Sequence, residues 1–219
     1  MPRGCSLILV LAASLGGLAV AGPSQAQSRC PGLLPQVSYR LDMRPAEFSH
    51  ERTMAELRGM TNARTSSHPL GLYVTSLVGG PVIEPKVTRV DDRDCVAIAK
   101  VDIRFEMRSR VIYIAREIDR NSCVYRVALD HERQHERIDE ERIRQQLPKN
   151  VGEMRYDFSN LATSAPVRAA ERDQIIRDYR DRAQAIVNRM LDGLLEEREK
   201  AQLSIDTPQE YARLAALCR

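Results

Sequence analysis

Between Val127 and Arg142 the chain reads VALDHERQHERIDEER, which sets His131 and His135 four residues apart and places Glu132 directly after the first. On an α-helix, at about 100° per residue, this spacing stacks the two imidazoles one turn apart on the same face. Two imidazoles so placed can bind a single Zn²⁺ ion, and the adjoining carboxylate can reach water at the metal without becoming a ligand. His131 and His135 are therefore the expected metal ligands. Glu132 is the expected general base, taking a proton from water as it attacks a carbonyl and passing it to the leaving amine. The chemistry this spacing suits is hydrolysis of an amide bond with Zn²⁺ as cofactor and a peptide or protein as substrate.

The helix that carries these residues must turn the histidines inward. With His131 at the origin of a helical wheel, His135, Ile138, Val124, Val127 and Ala128 all fall within about 60° of it, on one apolar stripe. Glu132 lies on the flank, about 100° away, and Arg133, Glu136, Arg137 and Glu140 belong mainly to the solvated side. The pattern predicts a helix from Ser122 to Leu147, ended by Pro148, then a loop over 148–166 and a second long helix over 167–203. The second helix carries an apolar stripe through Ile176, Tyr179, Ala183, Ile186, Met190 and Leu194, spaced for packing along another helix. A last helix follows, with Asp206 or Thr207 as its cap and Pro208 in its first turn.

The first half of the chain alternates shorter elements. QVSYRLDM, LGLYVTSLVGG, CVAIAKVDIRFEM and RVIYIAREI read as strands, and PAEFSHERTMAELRGM as a helix. Strands first and helices after imply an α+β fold: a small antiparallel or mixed sheet, then the motif helix, then long C-terminal helices. Residues 1–26 have the order of a secretory signal peptide, with Arg3, an apolar run from Leu7 to Val20, and Ser24 and Ala26 before the cleavage point. Residues 27–219 then form one domain, strand-rich over 27–120 and helical over 121–219. The expected destination is secreted or periplasmic, with no stable membrane insertion after cleavage.

Four cysteines remain beyond that segment, Cys30, Cys95, Cys123 and Cys218, and an exported chain can join them as two disulfides in three ways. The favoured pairing is Cys95 with Cys123, which border neighbouring elements, and Cys30 with Cys218, which ties the termini. The formal net charge is only +3, and runs such as ERDQIIRDYRDR mix both signs. The one-signed basic surface that nucleic acid requires is missing, so nucleic-acid binding is not expected.

HERQH is the HExxH signature of the zincin metallopeptidases, and a strand, RVIYIARE, stands shortly before it as in that superfamily. Together with the signal peptide and the cysteine-flanked strands, it also resembles a family of uncharacterised secreted proteins described as predicted zinc-dependent proteases. The likeness covers roughly residues 90 to 147. It implies that the strand borders the cleft, with Ile112 to Ala115 binding extended substrate through the backbone. It also implies a third ligand from the next helix, as in the glutamate-ligand zincins, with Glu171 the first choice and Asp173 and Glu153 left open. No histidine follows His135, so the pattern with a third histidine is excluded. Tyr156 and Arg172 are candidate donors to an oxyanion, whereas His50 and His68 have no partner at useful spacing. The alternative function class is a non-catalytic envelope protein that binds zinc, or that uses its long charged helices to meet a partner.

Overall fold

The computed structural model describes residues 30–61, 69–161 and 164–218. The expected signal peptide and His68 lie outside these residues. The elements run β1 (Gln36–Met43), β2 (Glu47–Ser49), α1 (Met54–Met60), β3 (Gly71–Val90), β4 (Arg93–Ile114), α2 (Cys123–Asn160), α3 (Arg172–Leu203) and α4 (Pro208–Ala216). No helix among the described residues is long and apolar enough to cross a membrane.

Strand β4, 22 residues long, is the axis of a mixed four-stranded sheet. Its alternating residues Val101, Ile103, Phe105 and Met107 point into the core. β3 pairs antiparallel with it along one edge, and β1 and β2 lie end to end along the other, both parallel to it. The two strands expected over 95–107 and 110–118 are thus one. The interruption between them is a β-bulge: the pairing passes from Val74 with Val111 to Ser76 with Arg108, leaving an extra residue on β4. Ser109 there takes a φ of 52°, and such bulges re-aim a neighbouring side chain. The neighbour is Arg110, whose buried guanidinium meets the Arg44 carbonyl, the Tyr73 hydroxyl, Glu136 and Glu140. Glu136 and Glu140 are accordingly partners of a buried cation, not only members of a solvated face.

Two expected helix boundaries move. The segment expected as one helix from Pro45 forms β2 first, and α1 begins after Thr53, whose hydroxyl accepts from the Glu56 amide while the Glu56 carboxylate accepts from the Thr53 amide. That capping box, readable as T-x-x-E, sets the start. Helix α2 runs through Pro148 to Asn160. Proline removes one backbone hydrogen bond, but Ile143, Leu147, Val151, Met154 and Phe158 continue one buried face across it. Burial of that face outweighs the lost bond. The stripe of α3 packs inside the same core, where Tyr179, Ala183, Ile186 and Leu194 are buried and Ile176 and Met190 partly so.

The disulfides join Cys30 with Cys95 and Cys123 with Cys218, correcting the expected pairing of Cys95 with Cys123 and Cys30 with Cys218. The cause lies in the sheet register. β1 runs parallel to β4 with Gln36 opposite Lys100, so extending both chains backward brings Cys30 beside Cys95. Helix α4 returns the chain to the start of α2, where Cys218 meets Cys123.

Helices α2 and α3 are pinned to each other by a buried ion pair. Arg198 donates from Nε to Asp139 Oδ1 and from a terminal nitrogen to Oδ2 at 2.9 Å, with side chains 9% and 0% exposed. The Tyr73 hydroxyl adds a third bond to the same carboxylate at 3.2 Å. Replacing Arg198 with leucine strands a buried charge and is expected to destabilise the fold by about 3–5 kcal/mol. Leucine at both Arg198 and Asp139 should recover much of that loss, as read from urea denaturation midpoints.

Candidate metal centre

His131 and His135 are 6% and 7% exposed, as the inward stripe of α2 requires. One turn beyond the Asp139–Arg198 pair, α3 presents Gln202 to His135, and just past its end Asp206 meets His131. Three successive contacts therefore join the two elements: Asp139 with Arg198, His135 with Gln202, and His131 with Asp206. Each step moves four residues back along α2 and four forward on the other segment, which is one helical turn on both.

At the last rung three donor atoms converge. His131 Nε2 and His135 Nε2 are 3.2 Å apart, and Asp206 Oδ1 lies 3.2 Å from the first and 3.1 Å from the second. A four-coordinate ion bound at about 2.0–2.1 Å sets its ligands roughly 3.3 Å apart, so this triangle fits one face of such a coordination sphere. Gln202 donates from Nε2 to the His135 carbonyl at 3.0 Å, which turns its Oε1 toward His135 Nδ1. Nδ1 then carries the proton and Nε2 offers a lone pair to the cluster. Three lone pairs this close repel one another unless a proton or a metal cation lies between them. His131, His135 and Asp206 are therefore a set that could hold a metal ion.

The charges agree with the geometry. Burial works against ionisation of Asp206, but hydrogen bonds from His131 and His135 overcome it and hold its carboxyl well below the ordinary value. Burial favours a neutral His135 ring, yet the Asp206 hydrogen bond and the Glu132 charge raise its basicity. Glu132 stands outside the donor triangle. Its burial pushes its pKa up to about 7, against the lowering pull of the two histidines. Its carboxylate accepts from the Tyr73 amide and lies so close to Gly71 that a Cβ there would stand 2.7–2.8 Å from Glu132 Cγ and Oε1. Only glycine lets the strand approach this carboxylate.

The donors open onto a cavity of about 610 Å³ bounded by the first turns of α2, by α4, and by the start of β3. Leu70 bonds through its carbonyl to Ala115 of the segment after β4, so by strand alternation Gly71 and Tyr73 turn their amides and carbonyls away from β4, toward the cavity. Among the described residues β3 pairs on one side only. Pro81 and Pro85 share the outward parity of Gly71, so farther along that edge the donors are missing.

No family model, curated protein or solved structure matches this chain.

The structure brings together His131, Glu132 and His135 and leaves Glu171 elsewhere. Glu171 closes a 3₁₀ turn at Ala169–Glu171, ion-paired with Arg168 at 2.7 Å and 44% exposed. Asp206 occupies the place expected for it, and neither Asp173 nor Glu153 lines the cavity. Tyr156 is exposed on the surface, and Arg172 extends toward Asp94 and Asp173. Tyr211 lines the cavity instead, donating to Asp206 Oδ1 at 2.8 Å with its ring 5.8 Å from that of His131. Of the expected range Ile112 to Ala115, Ile112 and Tyr113 cannot pair with a further strand, because β2 and β3 occupy both sides of β4 there, and the Ala115 amide is bound to the Leu70 carbonyl. His50 is bound to the Ile118 carbonyl and Arg120, away from the cavity.

Asp206 and Gln202 carried a weak sequence signal. Thr207 with Glu210 is a complete N-cap, with the Thr207 hydroxyl accepting from the Glu210 amide at 3.1 Å, so Asp206 has no capping duty. The spacing 198, 202, 206 places Arg198, Gln202 and Asp206 one turn apart.

Two measurements follow from these contacts. The unfolded pKa of Glu132 is near 4.5 and the folded value about 7, so in the metal-free protein stability from this group falls as pH rises from 4.5 through 7. Glu132→Gln should therefore stabilise the metal-free protein above pH 7, by on the order of 2–3 kcal/mol, and the gain should vanish near pH 4. Thermal denaturation with a chelator present reads it. Separately, α4 buries none of its residues fully, so the Cys123–Cys218 bridge is a main tether for the segment holding Asp206. Serine at both cysteines should weaken metal binding about tenfold or more, measured by chelator competition, whereas serine at Cys30 and Cys95 should leave it nearly unchanged.

Proposed function

We propose that this chain is an exported zinc-dependent metallopeptidase that hydrolyses amide bonds. The observation that carries the reading is the convergence of His131 Nε2, His135 Nε2 and Asp206 Oδ1 within 3.2 Å of one another, beside a buried carboxylate that is not one of the three. The HExxH letters and the two disulfides, which form in oxidising compartments, support it. Zn²⁺ held by His131, His135 and Asp206 would supply Lewis acidity toward a carbonyl and lower the pKa of water.

The remaining roles belong to the chain. Glu132, with its proton affinity matched to neutral pH by burial, takes a proton from water and returns it to the departing amine. The Tyr73 amide and the close backbone of Gly71 hold that carboxylate in place. Tyr211 and Gln202 orient Asp206 and His135. An extended substrate pairs with the outward backbone of Gly71, so the edge role expected of Ile112 to Ala115 passes to the other strand of the hairpin.

Protein purified from an oxidising compartment should contain one equivalent of zinc by elemental analysis. His131→Ala and Asp206→Ala should lose it, and Glu171→Ala should keep it. Glu132→Gln should retain the metal while hydrolysis of a peptide library falls by a factor of about 10² or more. Less than a tenth of an equivalent in the wild type, after zinc is offered, would sink the reading.

A further inference from the structure

The cavity beside the donors extends well beyond what a catalytic water needs. Cys123 and His131 are eight residues apart on α2, about 12 Å along the axis at 1.5 Å per residue. The Cys123–Cys218 bridge marks one end of this space and the donor triangle the other. Along it the walls are Leu70 and Leu72 from the start of β3, Val124 and Val127 from α2, and Leu214 and Ala215 from α4. Apart from His131, Glu132, His135 and Asp206, none of the described lining residues carries a charge. A charged group lying against these aliphatic walls, away from the donor end, would give up its hydration with no counter-charge on them.

We propose that this cavity is the substrate's side-chain pocket and that it selects a bulky aliphatic or aromatic residue next to the hydrolysed bond. The inference rests on the reading of the centre as a zinc hydrolase and adds its substrate class. The outward backbone of Gly71 runs past the donors, so a chain paired there carries its side chains alternately toward and away from the cavity. The one that enters meets aliphatic walls on three elements. Leu214 and Ala215 make α4 the specificity-determining wall, and that helix is joined to the opposite wall by the disulfide.

The test uses zinc-loaded, oxidised Glu132→Gln protein, which cannot turn substrate over, and calorimetric titration with the hydroxamates of N-acetyl glycine, leucine, phenylalanine, aspartate and lysine. The leucine and phenylalanine probes should bind about tenfold or more tightly than glycine, and the charged probes no more tightly than glycine. Leu214→Glu, on the partly exposed wall and away from the donors, should keep its zinc and shift the preference to lysine. Affinities equal within about twofold across the series, or tightest for a charged probe, overturn the pocket while leaving the metal centre standing. A zinc-loaded protein that binds no probe also overturns it, and a protein that takes up no zinc overturns both readings.

Discussion

The antiparallel register of α2 against α3 is the constraint on which the rest depends. It is fixed where Arg198 closes on Asp139, because a guanidinium and a carboxylate removed from water have only each other and the Tyr73 hydroxyl to satisfy them. A slip of one residue would separate the pair and leave both charges stranded. On one side of it the apolar faces of α2 and α3 meet in the main core; on the other, the same one-turn stride delivers Gln202 to His135 and Asp206 to His131. The 3.2 Å between the Asp206 carboxylate and the His131 imidazole is thereby set by an ion pair two turns away.

The cluster at the end of this ladder is costly as bare protein. It crowds two imidazoles and a carboxylate together so that, without a metal ion, protons must lie between them, beside a second buried carboxylate, and it leaves His131 Nδ1 buried without a hydrogen-bond partner. Buried polar groups are ordinarily paired, and the neighbouring Arg110 network shows this chain pairing them fully where no ligand is needed. The network on Tyr73, Glu136 and Glu140 is satisfied within the protein, whereas the one around His131 keeps a buried nitrogen unpartnered beside donors that could hold an ion.

Much of this was legible in the sequence, and the failures share a cause. Helical periodicity placed His131, His135 and Glu132, because a motif within five residues is decided by local geometry. β1 was legible residue for residue, and so was the mixed α+β character. Pro148 misled because propensity gave way to a continuous buried face from Ile143 to Phe158. The third donor and the disulfide pairing failed together, since both depend on where α4 goes. With Cys218 assigned to Cys30, the segment around Asp206 is carried away from the motif helix; assigned to Cys123, two turns before His131, it must return to it. The parallel run of β1 beside β4 decides the matter, and strand direction has no signature in a single strand's residues.

The bridge between Cys123 and Cys218 spans a sequence separation of 95 residues, and His131, Glu132, His135, Gln202, Asp206 and Tyr211 all fall inside that span. Helix α2 and the segment after α3 that carries Asp206 are thus parts of one covalent ring. A single peptide bond broken between α2 and α3 opens the ring without releasing either piece, so both halves stay at the effective concentration of an intramolecular pair. Wherever that backbone bond is cut, the cluster of His131, His135 and Asp206 would outlast the continuity of its own chain.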